Sequence, residues 1–144
     1  MEPNHRVGPL SDLDSEEEVA ELVRQFYGAV AQDDLLGPIF NDVAQVDWAA
    51  HLPKLTLFWC RVLFGTVGYS GNPYAEHARI HGLSPLRPAH FIRWLELFNE
   101  TLDGSWEGPN VEKVKHLAKT VARVHSSELI GVKVELQPEV ASIP

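Results

Sequence analysis

Four stretches of the chain repeat apolar residues at intervals of three and four, and segments bearing glycine and proline separate them. That period is one face of an α-helix, so each stretch has a stripe to bury against another helix. In "EEVAELVRQFYGAV" the stripe is Val19, Leu22, Val23, Phe26, Tyr27 and Val30, and Ser15 with Glu18 has capping-box spacing. Gly37-Pro38 stops this helix and leaves Phe40 in a turn. Asp47 is placed to cap "WAAHLPKLTLFWCRVLFG", where Trp48, His51 or Leu52, Leu55, Phe58, Trp59, Val62 and Leu63 recur. Pro53 removes a hydrogen bond there, which calls for a start near residue 50 or for a kink. "PAHFIRWLELFNETL" sets Phe91, Trp94, Leu95, Phe98 and Leu102 on one face behind Pro88, which suits a first helical position. Asn110 is placed to cap "VEKVKHLAKTVARVHSSEL", striped by Val111, Val114, Leu117, Val121 and Val124. The pattern predicts an all-α domain over residues 15–130, a flexible tail over 1–14 and an extended or disordered C-terminal tail over 131–144.

The bulk numbers narrow the function classes. A chain of 144 residues is long enough for one domain with a real core. Its formal charge of −8, without a cluster of Lys or Arg, makes nucleic acid and anionic membrane poor candidate partners. The acidic N-terminus lacks the apolar core of a signal peptide, and no apolar run approaches the roughly 20 residues of a membrane helix. One cysteine, Cys60, rules out an internal disulfide framework and suits a reducing compartment. A cytoplasmic protein is expected, with Cys60 as inert core.

Between the second and third helical stretches lies a partly ordered insert of more than twenty residues, "GTVGYSGNPYAEHARIHGLSPLRP". A structureless loop that long is unusual in a compact domain and often functional. Its His77 and His81 stand four apart and could share a metal, yet HExxH is absent and no carboxylate or cysteine is placed to complete a tetrahedral site. A single imidazole entering an apolar pocket suits axial ligation of haem iron better. Phe26, Phe40, Phe58, Trp59, Phe91 and Trp94 could line the flat slot that haem needs, and without CxxCH the haem would be held non-covalently. Tyr27, His51 and Trp94 bring polar tips to otherwise apolar faces, although each alone reads most simply as core or as a hydrogen-bonded surface group.

"FYGAV…DDLLGPIF", "DWAAHLPKLTLFW", "Y-x-GNP-x3-H" and "HFIRWLELFNETLD" resemble, in order and spacing, the truncated haemoglobins, closest to group III. The likeness runs from about Ser15 to Glu128 and implies a two-over-two helical sandwich of the globin superfamily. Position by position, it makes His77 the proximal iron ligand, and Tyr27, His51 and Trp94 the distal-side groups. It places Phe40 against the haem rim and sets Leu55, Phe58 and Trp59 along the pocket, with Phe91 facing the haem. Lys54 and Arg79 would reach propionates, or else are ordinary solvated charges. His81 remains a rival ligand or a rim residue, and His90 a lesser rival.

The resemblance implies haem b with five-coordinate iron that binds O₂, NO and CO. A hydrogen bond to a charged group contributes about 1.5–3 kcal/mol, and about 1.4 kcal/mol is tenfold in affinity. Two donors acting on bound O₂ would thus slow its release by ~100-fold, which suits NO or reactive-oxygen detoxification, or sensing, more than bulk transport. An NO dioxygenase role would need an electron-donating reductase. A peroxidase-like alternative uses His51 as acid and base on peroxide. More distant alternatives are a haem-free helical binding module and a small zinc protein drawing on the seven histidines.

Overall fold

The computed structural model describes residues 10–68 and 73–136. Within them run five α-helices and no β-strand: α1 (Glu16–Gln32), α2 (Trp48–Phe64), α3 (Pro73–Leu83), α4 (Pro88–Ser105) and α5 (Pro109–Ile130). A π-helical turn, Ile39–Val43, joins α1 to α2. The pairs α1–α2 and α4–α5 stack on each other through α1–α4 and α2–α5 contacts, the expected two-over-two sandwich. Among the described residues no helix is long and apolar enough to cross a membrane.

Local chemistry sets the helix ends. Ser15 Oγ accepts the Glu18 N–H at 3.2 Å, Asp47 caps α2 through the Ala50 N–H, and Pro88 opens α4. At the end of α1, the Asp33 carboxylate accepts the N–H groups of Leu35 and Leu36 and pairs with Arg93 Nε at 2.8 Å, fixing α4 to that corner. Gly37 is buried there, where a Cβ would lie 2.9 Å from the Ala31 carbonyl oxygen. Pro53 is inside α2, which starts at Trp48 and not near residue 50. The carbonyl that loses its partner is that of exposed Ala49, which water can reach.

The insert is partly ordered, as expected, with residues 73–83 forming α3; Tyr69, Gly71 and Asn72 of the "Y-x-GNP" motif lie outside the described residues. Three expectations need correction. Asn110 does not cap α5 but sits inside its first turn, and the cap comes from Asp12, whose carboxylate accepts the N–H groups of Asn110 and Val111 at 2.9 and 3.0 Å. Gly108 makes room for it: φ is +141°, and a Cβ would lie 2.4 Å from Asp12 Cγ. Residues 11–14, assigned to the N-terminal tail, therefore pack on the domain, with Leu13 fully buried. Lastly, α5 buries Val111, Val114, Ala118, Ala122 and His125, while Val124 is exposed. Steps of 3, 4, 4 and 3 follow the 3.6-residue turn, whereas the expected 3, 3, 4 and 3 run ahead of it. Beyond α5 the chain returns, Val134 burying its side chain and donating its N–H to Ser126 Oγ at 3.0 Å; the tail from 137 on lies outside the described residues.

Candidate functional site

The apolar stripes of α1, α2 and α4 meet in an aromatic cluster. Phe26 has its ring centroid 5.0 Å from Phe98 and 5.5 Å from Trp94, both edge to face, and Phe98 stacks on Trp59 and on Trp94 at 5.3 and 5.5 Å. Such contacts add to area burial and fix ring planes. Trp94 is only partly buried, because its outer side borders a cavity of about 350 Å³ between these helices and α3. The same border explains α2, which buries only Trp59 and Cys60 fully. Leu55 and Phe58 are half-buried where they line that space. Burial pushes the Cys60 thiol pKa up, with the nearby negative Glu16 acting the same way.

Tyr27, His51 and Trp94 all line this cavity, and so does His77 from α3. Tyr27 lies 6.1 Å from His51 between ring centroids. Burial drives the Tyr27 hydroxyl pKa well above its ordinary value, opposed in smaller part by hydrogen bonding with Trp94, so it stays a neutral donor. Burial lowers the His51 pKa; Glu76 opposes this, and Lys54 and Arg79 reinforce it. A neutral His51 has one N–H to donate. Trp48 supports this group from behind: its indole donates to Asn41 Oδ1 at 3.1 Å, and its ring lies 5.8 Å from both Tyr27 and His51 and stacks on Phe40.

A second, smaller cavity of about 50 Å³ shares Phe40, His77, Ile80, Trp94 and Val121 with the first and is also bordered by Phe91. His77 projects into the space between. Its Nδ1 lies 2.7 Å from Nδ1 of His125, and Phe91 meets its ring at 82° and 6.3 Å. Burial first, and His125 second, lower the His77 pKa to about 4, so near neutrality the ring is uncharged and carries one lone pair. At the polar edge of the cavity stand Lys54, Glu76 and Arg79, the last two paired at 3.2 Å.

The structure thus gathers eleven sequence-predicted site residues around two adjoining cavities, whereas Phe26, also expected to line the slot, is buried in the core beside Trp94 and Phe98. Of the rival histidines, His81 Nδ1 accepts the Leu86 N–H at 2.9 Å, and His90 Nδ1 accepts that of Arg87 at 2.9 Å in the capping box of α4, its ring also bordering the smaller cavity. Sequence reasoning missed His125 and the supporting role of Trp48. The available signal for His125 was its register, one step beyond Ala122 on the buried stripe of α5. Among the described residues no three His, Cys, Asp or Glu side chains gather as a metal site, which leaves the zinc alternative without a ligand set there.

These features suit haem: an apolar slot of cofactor size, the neutral imidazoles of His51 and His77 on its walls and cations at its edge. Comparison with known proteins agrees. Residues 11–127 match the bacterial-like globin family. The chain is 36% identical over 92 residues to the group 3 truncated haemoglobin ctb of Campylobacter jejuni, a match covering 62% of this chain and 70% of that protein. The crystal structure of a group III truncated haemoglobin from Campylobacter jejuni superposes with a TM-score of 0.70 at 31% identity, covering 80% of this chain and 91% of that one.

Proposed function

The chain belongs to the bacterial-like globin family, whose members bind haem and through it diatomic gases such as O₂, and from that premise we propose a haem b protein in which His77 holds the iron. Haem bound non-covalently would supply a ferrous iron with a sixth position open to O₂, NO or CO. The observation carrying this reading is that Tyr27, His51 and Trp94 share one cavity with His77, on α1, α2 and α4 against α3.

Each residue has a definable task. His77 presents a neutral ring whose Nδ1 is engaged by His125, leaving Nε2 for the metal. Tyr27 O–H, His51 N–H and Trp94 indole N–H would donate to a diatomic ligand that has gained negative charge. Phe40, Leu55, Phe58, Trp59 and Phe91 exclude water from the slot, and Lys54 and Arg79 would face the propionates. Strong donation slows O₂ release, so the reading favours NO or reactive-oxygen detoxification, served by a reductase, or sensing. A carboxylate on the proximal imidazole would favour peroxidase-like chemistry; the partner of His77 is instead an uncharged imidazole, which supports the ligand-binding reading.

The test is the absorption spectrum of the purified protein supplied with haem, reduced and then exposed to CO. An intense Soret band that shifts with CO is expected, and a folded protein that takes up no haem would overturn the reading. NO consumption by the O₂-loaded protein, set against peroxide-driven oxidation of a dye, then separates the two enzymatic roles.

A further inference from the structure

His125 is a buried polar group that the tasks above do not use directly. It is 8% exposed, on a stripe of α5 otherwise made of Val111, Val114, Ala118 and Ala122. An imidazole buried there costs free energy that an aliphatic side chain would not, unless it makes a hydrogen bond. Its partner is Nδ1 of His77, and the Tyr74 ring packs edge-on against it at 5.4 Å. Phe91 flanks the His77 ring, so both imidazole planes are set by neighbours.

Only one proton fits between two Nδ1 atoms 2.7 Å apart. A neutral imidazole carries a single N–H, so the position of that proton decides the tautomer of both rings. If His125 donates, the His77 proton sits on Nε2 and the lone pair needed for a metal is lost. If His77 donates, its Nε2 lone pair is free and His125 carries its own proton on Nε2.

We propose that His125 is a positioning residue for the iron ligand: its Nδ1 accepts the Nδ1–H of His77, fixing the ring and its tautomer and making Nε2 a more electron-rich donor. This rests on the reading that His77 ligates haem iron. An uncharged acceptor polarises the ligand less than a carboxylate would and more than an apolar neighbour would.

The experiment is resonance Raman spectroscopy of the ferrous haem-loaded protein, with His125→Leu and His125→Asn beside the wild type. The asparagine oxygen can stand close to the lost Nδ1. The iron–histidine stretching band is expected to fall in frequency in His125→Leu and to return towards the wild-type position in His125→Asn. An unmoved band in a haem-loaded His125→Leu would overturn the role of His125 alone. A wild type without such a band, or one whose band survives in His77→Ala, would overturn the parent reading and this inference with it. Should His125→Leu not fold, ¹⁵N NMR of the CO-bound wild type decides the matter. His77 protonated on Nδ1 and His125 protonated on Nε2 are expected, and a His125 proton on Nδ1 would refute the assignment.

Discussion

On one side of the cavity, α1, α2 and α4 hold Phe26, Trp59, Trp94 and Phe98 in ring-on-ring contacts, with Phe26 and Phe98 almost fully buried. On the other side, α3 carries His77 on a helix with one buried aliphatic side chain, Ile80, while Tyr74 and Leu83 are 39% and 58% exposed. Among the described elements the backbone of α3 approaches closely only α5 and the π-helical turn. Ile80, the His77–His125 bond, the rings of Tyr74 on His125 and Phe91 on His77, and the His81 bond to Leu86 tie it down. The difference teaches that the residues proposed to face a ligand rest on the folding core, whereas the proposed iron ligand rests on a less deeply packed element. Stability and the proposed iron binding should therefore be separable by mutation.

The largest effect should fall on the core side. Phe98→Ala is expected to cost about 3–5 kcal/mol of global stability in urea unfolding of the haem-free protein. Ile80→Ala is expected to cost about 2 kcal/mol or more locally, seen as hydrogen-exchange protection lost in α3 and retained in α1 and α4. Equal loss of protection in all three helices would break the contrast. Tyr27→Phe removes a donor without removing packing, so the fold should hold while O₂ dissociation from the haem-loaded protein speeds up about tenfold to a hundredfold, equivalent to roughly 1.5–3 kcal/mol. An unchanged rate in stopped-flow displacement would remove Tyr27 from the mechanism. His81→Ala deletes one acceptor at the end of α3 and should cost about 1 kcal/mol, read as faster exchange of the Leu86 amide.

A smaller effect concerns acid. The His77 pKa in the fold is about 4 against an ordinary 6.5, so between those values the unfolded chain binds a proton that the folded one does not. Stability of the haem-free protein should accordingly fall as pH drops from 6.5 to 4, and this contribution should level off below 4. His77→Ala should show a shallower pH slope over that window in urea midpoints; an identical slope would place the titration elsewhere.

Much of the core side was legible because helix period, caps and aromatic residues all act locally. Phe26, Phe98 and Leu102 fall on their stripes, and Ser15, Asp47 and Pro88 end their helices through neighbours three residues away or nearer. What could not be read depended on distant partners. Asp12 caps α5 across 98 residues of chain, and His125 finds its role only through His77, 48 residues earlier. The segment 73–83 lacks a clear apolar stripe and contains proline and glycine, so its local pattern argues for loop; tertiary contacts make it α3. His81 illustrates the limit on the site. Its spacing from His77 suggested a shared metal or a rival ligand, and only the Leu86 amide shows it terminating a helix.

The central claim, that His77 Nε2 is the iron ligand on a separable element, is tested most directly by His77→Gly loaded with ferrous haem, without and then with added imidazole. The account predicts a folded protein that loses the wild-type spectrum and regains it, CO response included, once imidazole fills the vacated place. A His77→Gly protein with the wild-type spectrum and no need of imidazole would contradict it and return the ligand to one of the other histidines.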